Sequence, residues 1–424
     1  MSPQNRVIID TDPGIDDALA LLLALSSSSE DIEVALVSVT YGNVPLQSCL
    51  RNVIALFHVL EKEMEWRRSK NLPEGFGCLR ASKTLIAAGA EHSLLEEELA
   101  ADFFHGVDGL HGVHEACPFL SPSYTWSDFL EQGGNVSNRF FEAAKDPAHK
   151  EILKILRESP PDTVSIAVLG PMTNIALAAA EDPETFLRVK EVTVMAGAVH
   201  LPGNITPFAE FNTFADPIAT ARVFALTSPS PQSTMPTFSP ASLLGYPSKL
   251  SQRLKVRLFP LDITTRHRLD KSYFLERINT PLLAGSPLAQ WTNHFVTRAF
   301  DKLESLEGGG ENYQPRLSLH DPMVIWYLLT REDPDWLSVT EDIRIETAGE
   351  WTRGMHAIDK RIDEQPEKPQ IALKALELDP DSADTVPGDG MGWGSSTRGN
   401  RIMRTTGSPG ESIFEEILMR KIFS

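Results

Sequence analysis

Apolar and polar positions fall along this chain in blocks that change period. Val7-Ile8-Ile9 is a short β-branched run; it gives way to Asp10-Thr11-Asp12-Pro13-Gly14-Ile15-Asp16-Asp17, and a Leu/Ala-rich block, Ala18 to Leu25, follows at once. The first run predicts a strand and the block after the acidic turn predicts a helix. Glu33 to Thr40 is almost continuously apolar and predicts a second strand, closing at Tyr41-Gly42-Asn43. Two strands bracketing a helix make a βαβ unit, whose crossover is right-handed and whose sheet is parallel.

The pattern recurs. Thr163 to Leu169 and Val189 to Met195 read as strands, and Asn174 to Ala180, Ile218 to Leu226 and Pro322 to Leu329 as helices. The expected fold is α/β: an open, mostly parallel central sheet with helices on both faces, with ligands held beyond the carboxyl ends of the strands. Weaker stretches interrupt it: charged Glu61 to Gly77, the Ser/Thr/Pro-rich Thr227 to Pro247, Gly308-Gly309-Gly310, and Glu364 to Gly399. All four read as surface loops, and Asp379 to Gly394, with little to bury, as mobile chain. The expectation is one domain over 1–424 with flexible insertions at 61–80, 227–250 and 360–399.

Composition narrows the partners. With 42% hydrophobic residues in 424 the chain can bury a large core, and 58 acidic against 39 basic residues give a net charge of -19. That charge opposes binding to nucleic acid polymers and anionic membranes. Three cysteines, Cys49, Cys78 and Cys117, form no CxxC pair and fit a reducing compartment. The first residues lack a basic-then-apolar leader, and no apolar stretch is long enough to span a bilayer, so a soluble, cytoplasmic protein is expected.

Four carboxylates, Asp10, Asp12, Asp16 and Asp17, crowd one strand-to-helix turn. Helix capping accounts for one or two of them. The remaining like charges call for a cation or shared protons, and hard oxygen donors point to Ca²⁺ or Mg²⁺ rather than Zn²⁺.

The stretch from Val7 to Ala18 resembles the amino-terminal motif of the inosine-uridine preferring nucleoside hydrolases, which cleave the N-glycosidic bond of ribonucleosides using a bound Ca²⁺. Further stretches agree in order: Val39-Thr40-Tyr41-Gly42-Asn43, the glycine-rich His105 to Gly112, Leu169-Gly170-Pro171-Met172-Thr173-Asn174, Met195-Ala196-Gly197-Ala198, Gly203 to Asn212, Ser318-Leu319-His320-Asp321-Pro322, Trp351 to Met355, and a terminal helix from Glu411 to Ile422. The resemblance implies that Asp12, Asp17, Asp321 and the Leu169 carbonyl hold Ca²⁺. It implies that Asp16, Asn204, Glu210 and Asn212 bind the ribose hydroxyls, that Phe211 and Met195 lie against the sugar or base, and that Asn43 faces the ribose and the attacking water. Asp12 would accept the proton, Asp10 would support the turn, and His320 would sit near the leaving base. The loop around Gly106 to Gly112 is mobile in relatives and closes over substrate. Departures are the three insertions and one extra residue between Met195 and Asn204, and they bear on the base pocket more than on the metal site.

The resemblance also implies a homodimer or homotetramer acting on a small-molecule ribonucleoside in nucleoside salvage. Two other classes stay open at this point. A haloacid dehalogenase-like phosphatase also begins with Asp-x-Asp after a strand, but it leaves Asp16-Asp17 and Glu210-Phe211-Asn212 without a purpose. A non-catalytic nucleoside-binding protein would leave packed carboxylates unused, at a cost.

Overall fold

The computed structural model describes residues 4–95, 104–131, 138–240, 243, 245–307, 314–361 and 389–423. Its strands, in chain order, are β1 (Asn5–Thr11), β2 (Ile32–Val39), β3 (Thr84–Ala88), β4 (Phe141–Ala143), β5 (Val164–Val168), β6 (Glu191–Met195), β7 (Val256–Phe259), β8 (Arg268–Asp270), β9 (Arg316–Ser318), β10 (Ser338–Glu341), β11 (Arg344–Ile345), β12 (His356–Ala357) and β13 (Ile402–Thr405). Nine of them form one sheet in the order β10-β13-β7-β6-β5-β1-β2-β3-β4. Every neighbouring pair in it is parallel except the edge pair β10–β13. β8 with β9 and β11 with β12 form two small antiparallel ribbons.

The continuous apolar runs are explained by burial on both faces. Val7 and Ile9 of β1 join a cluster on one side with the helix Ile15–Ser26, whereas Ile8 joins a cluster on the other side with the helices Ala148–Glu158 and Thr173–Glu181. This period-two alternation is what puts helices on both faces. The helix Ile15–Ser26 is buried from Ile15 to Leu25 and packs against the helix His320–Thr330, so its Leu/Ala block needs no polar stripe. The other expected elements are present within a few residues of their sequence bounds: Thr173–Glu181, Pro217–Ala225, His320–Thr330 and Glu411–Phe423 are helical.

One expectation is corrected. Glu61 to Ser69, read as loop, is the last third of a helix, Leu46–Ser69. Two of its charges are internal: Glu63 and Arg67 form a buried ion pair at 2.8 Å, Glu63 also accepts the Ser286 hydroxyl at 2.6 Å, and Arg67 lies over the Phe76 ring at 4.9 Å. Paired charges spaced i, i+4 on one helix face read in sequence as solvated polarity. A second short helix, Gly77–Ala81, follows. The described residues between Thr227 and Pro247 hold one short 3-10 turn, Pro231–Ser233, and are otherwise irregular as expected, tied down by bonds such as Gln232 Nε2 to the Tyr246 carbonyl at 3.0 Å and Thr234 to Asn400 at 2.6 Å. Gly308 to Gly310, and the Glu364 to Gly399 stretch up to residue 388, lie outside the described residues. The three cysteines are free, and among the described residues no helix is long and apolar enough to cross a membrane.

Candidate active site

The strand order reverses direction at β1, which lies between β2 and β5. Crevices at such reversals, outside the carboxyl ends of parallel strands, are where open α/β sheets bind ligands. Asp10 is the last but one residue of β1, in register with Ser38 of β2 and Val168 of β5. Its carboxylate accepts from the Ser38 hydroxyl and from Asn174 Nδ2 at 2.8 Å, tying β1, β2 and the helix Thr173–Glu181 together. Burial pushes its pKa up to about 7. Asp10 thus braces the turn and does not line the cavity.

Asp17 is the capping carboxylate. It reaches back to the Gly14 N–H at 3.1 Å and also accepts from the Thr11 hydroxyl at 2.6 Å, the Asp12 N–H at 3.3 Å and Asn43 Nδ2 at 3.0 Å. An acid in the first helical turn is favoured by the exposed N–H groups there. Asp12 is held differently. Its Oδ2 accepts the Asn43 N–H at 2.7 Å, while its buried Oδ1 has no hydrogen-bond partner. The turns approach it so closely that a Cβ at Gly42 or Gly170 would overlap the Asp12 carboxylate. Glycine is required there for space rather than for backbone freedom.

Oxygens of Asp16, Asp17 and Asp321 lie within 4.8 Å of one another, all three residues being buried. Asp12 stands outside that trio, although its charge and those of Asp17 and Asp16 act on one another. Burial, and then the neighbouring carboxylates, raise Asp12 and Asp321 well above the usual range and Asp16 to about 7. Among the described residues no Lys or Arg pairs with any of the four. An all-oxygen donor set of converging buried carboxylates, one oxygen of which lacks any partner, fits a hard divalent cation.

A cavity of about 340 Å³ opens above this cluster and is lined by Asp16, Asn43, Leu169, Met195, Asn204, Glu210, Phe211, Asn212, His320 and Asp321, among others. Ten residues picked out along some 300 positions of sequence therefore share one pocket. Asp12 and Asp17 lie beneath it rather than on its wall.

The segment from Asn204 to Asn212 is organised by Glu210, the N-cap of the short helix Phe211–Ala215. Its carboxylate accepts from Asn212 N at 2.6 Å, Thr213 N at 3.1 Å and Gly197 N at 2.7 Å. Asn204 Oδ1 accepts the Phe211 N–H at 2.9 Å. Asn212 Nδ2 donates to the Leu169 carbonyl at 2.6 Å and to the Met195 carbonyl at 3.2 Å, bridging the ends of β5 and β6. His356 supports this arrangement from behind, with Nε2 3.0 Å from the Thr213 hydroxyl. His320 Nδ1 is 2.7 Å from the Thr264 hydroxyl, and burial, with His105 and Arg268 nearby, lowers its pKa to about 4, so the ring is neutral near pH 7.

Five lining residues fall outside every stretch singled out in the sequence: Phe104, Arg268, Leu303, Arg316 and Leu317. His105 lies in the glycine-rich stretch, and its Nδ1 accepts the Ile15 N–H at 3.0 Å, which leaves the proton of the neutral ring on Nε2. Arg268 and Arg316 arrive through the β8–β9 ribbon, whose pairing joins residues 46 and more positions apart.

Comparison with known proteins agrees with the geometry. The family described as inosine-uridine preferring nucleoside hydrolase matches residues 7–383. The pyrimidine-specific ribonucleoside hydrolase RihA of Salmonella enteritidis PT4 is 30% identical over 356 residues, covering 83% of this chain and 88% of its own. RihA of Klebsiella pneumoniae (strain 342) is 28% identical over 353 residues, with 83% and 88% covered. Among solved structures, an inosine-guanosine nucleoside hydrolase superposes with a TM-score of 0.66 at 21% identity, covering 99% of each chain, and a plant nucleoside hydrolase, PpNRh1, with 0.63 at 20% identity and 100% of each. At those identities the superpositions speak for the fold. The phosphatase and non-catalytic readings are set aside by the match over most of the chain. With the sheet, the acidic cluster and the cavity in place, the chain belongs to the inosine-uridine preferring nucleoside hydrolase family and is a ribonucleoside hydrolase, an enzyme of N-glycosidic bond cleavage.

Proposed function

We propose that this hydrolase works with one Ca²⁺ held by Asp12, Asp17, Asp321 and the Leu169 carbonyl, with Asp12 as the general base. The observation that carries the reading is Asp12 Oδ1, buried and without a hydrogen-bond partner beside carboxylates with which no Lys or Arg among the described residues forms an ion pair. Bound Ca²⁺ supplies Lewis acidity, lowering the pKa of a water molecule at the site.

The chain's own residues do the rest. Asp12 accepts the proton of the attacking water, Asn43 fixes the Asp12 carboxylate, and Asp16, Asn204, Glu210 and Asn212 grip the ribose hydroxyls. Gripping the sugar away from the bond that breaks uses binding energy to favour the oxocarbenium-like ribosyl centre. Phe211 and Met195 pack beside the sugar, and neutral His320 hydrogen-bonds the base. The products are ribose and free base, which fits a role in nucleoside salvage. The same reading places the enzyme in the cytoplasm as a homodimer or homotetramer.

The test is direct. Purified protein is incubated with uridine, inosine, cytidine, adenosine and nicotinamide riboside, and ribose is measured with and without a chelator. Release that disappears on chelation and returns with Ca²⁺, together with loss of turnover in a folded Asp12→Asn protein, is expected. Near-wild-type hydrolysis by Asp12→Asn would remove Asp12 as the base, and indifference to chelation would remove the cation.

A further inference from the structure

Breaking the C1′–N bond leaves its electron pair on the base, so a fixed positive charge on the cavity wall would stabilise the departing group. The β8–β9 ribbon brings two guanidiniums to the same wall. Arg268 and Asp270 alternate with Leu269 on one strand, and Arg316 and Ser318 alternate with Leu317 on the other. Register pairs Arg268 with Ser318 and Asp270 with Arg316, so all four polar side chains share one face while Leu269 and Leu317 are buried. The two arginines are not equivalent. Arg316 is clamped by Asp270 through bonds of 2.5 and 3.0 Å, which spends its charge on a carboxylate. Arg268 has no carboxylate partner among the described residues. Its Nε–H donates to the Thr265 carbonyl at 2.7 Å, which fixes the plane of the guanidinium and leaves the Nη edge uncommitted.

Arg268 is also indexed to the end of the site where the base departs. The Leu319 N–H donates to the His267 carbonyl at 2.9 Å, binding the strand that carries Arg268 to the turn that carries His320 and Asp321. Resting on the hydrolase reading above, we propose that Arg268 is a catalytic residue that holds the negative charge collecting on the departing base. The new C1′–O bond comes from water, whose proton goes to Asp12. The C1′–N pair stays on the base, delocalised towards a ring carbonyl oxygen facing Arg268, and the freed base takes a proton from solvent. A fixed cation at the place where charge develops stabilises the transition state more than the ground state. Because Arg268 is exposed, its effect is smaller than that of a fully buried donor.

The experiment compares full-length wild type, Arg268→Ala and Arg268→Lys, all with Ca²⁺, on uridine, 5-fluorouridine and 4-nitrophenyl β-ribofuranoside, whose leaving groups need progressively less help. In Arg268→Ala, kcat for uridine is expected to fall roughly 10- to 100-fold, with a smaller loss on 5-fluorouridine and a loss within about threefold on the nitrophenyl riboside. Arg268→Lys restores part of the uridine rate by keeping the charge. An equal loss on all three substrates, a loss carried by KM alone, or no loss on uridine overturns the proposal. Failure of the wild type to release ribose from any of the three overturns the hydrolase reading itself, and this assignment with it.

Discussion

Asn43 holds Asp12 at both ends: its backbone N–H donates to Asp12 Oδ2 at 2.7 Å, and its side-chain amide donates to the Asp12 carbonyl at 3.1 Å. The same amide reaches Asp17 Oδ2 at 3.0 Å, so one residue in the turn after β2 sets the spacing of two carboxylates on the turn after β1. Asn43→Ala keeps the backbone bond and removes the amide bonds. Ribose release should fall roughly 10- to 100-fold, while the urea midpoint records a cost of only about 1–2 kcal/mol. A wild-type kcat in this variant would show that the amide does not position the base.

Gly42 and Gly170 flank the Asp12 carboxylate from two sides. Gly170→Ala forces either the Asp12 side chain or the turn after β5 to move. Turnover and the affinity for added Ca²⁺ should fall together, with Gly42→Ala behaving alike. Calorimetric titration of the chelator-treated protein gives the affinity. Loss of turnover with unchanged Ca²⁺ binding would mean that Asp12 serves the water and not the cation.

The Ca²⁺ site proposed above implies that chelation weakens the fold, because the buried carboxylates of Asp12, Asp16, Asp17 and Asp321 lose a shared counter-ion. Saturating Ca²⁺ at about one hundred times its Kd adds about 2.7 kcal/mol to the native state. A thermal melt with chelator and with Ca²⁺ reads the difference. Superimposable melts would argue against a bound ion.

The Glu63–Arg67 pair is no part of the cavity wall, and both side chains are almost wholly buried. Glu63→Ala strips Arg67 of this carboxylate, and it strips Ser286 and the Leu288 N–H of their acceptor. The expected cost is about 3–5 kcal/mol by urea unfolding, partly recovered in Glu63→Ala/Arg67→Met. An unaffected midpoint would mean that the end of this helix contributes nothing to stability.

His114 accounts for part of the pH dependence of stability. Its Nε2 is 2.7 Å from Asn52 Oδ1 and its Nδ1 2.8 Å from the Ser121 hydroxyl, while burial first and Arg51 second lower its pKa from 6.5 to about 4, against a weaker upward pull from Asp108. The unfolded chain therefore binds a proton that the folded chain refuses. The full stabilisation is present above pH 6.5 and is lost as pH falls from 6.5 to 4, with a limit of about 3 kcal/mol. His114→Gln should flatten the urea midpoint between pH 6.5 and pH 4.5, and an unchanged slope would exclude the histidine as its source.

Much of the site was legible in the sequence because its residues sit at strand ends, where a change of period and a cluster of acids coincide. Asp10, Asp12, Asp16 and Asp17 occupy one turn, so their crowding needs no tertiary knowledge. Glu210 shows the limit. Its ribose-facing expectation stands beside three backbone bonds that make it the N-cap of Phe211–Ala215. The helix from Glu61 to Ser69 was illegible for a related reason: a buried ion pair and a solvated one have the same composition.

The alternation of periods determined the α/β layers, and the β-branched runs determined which strands are buried on both faces, because both are local properties of consecutive residues. Only the tertiary structure decided which oxygens are left without partners and which charges meet. Asp12 Oδ1 is left without a partner because the Asn43 N–H goes to Oδ2, and Arg268 differs from Arg316 because β8 and β9 pair in the register that gives Asp270 to Arg316. Such facts depend on contacts between distant parts of the chain, and no window of sequence contains both partners.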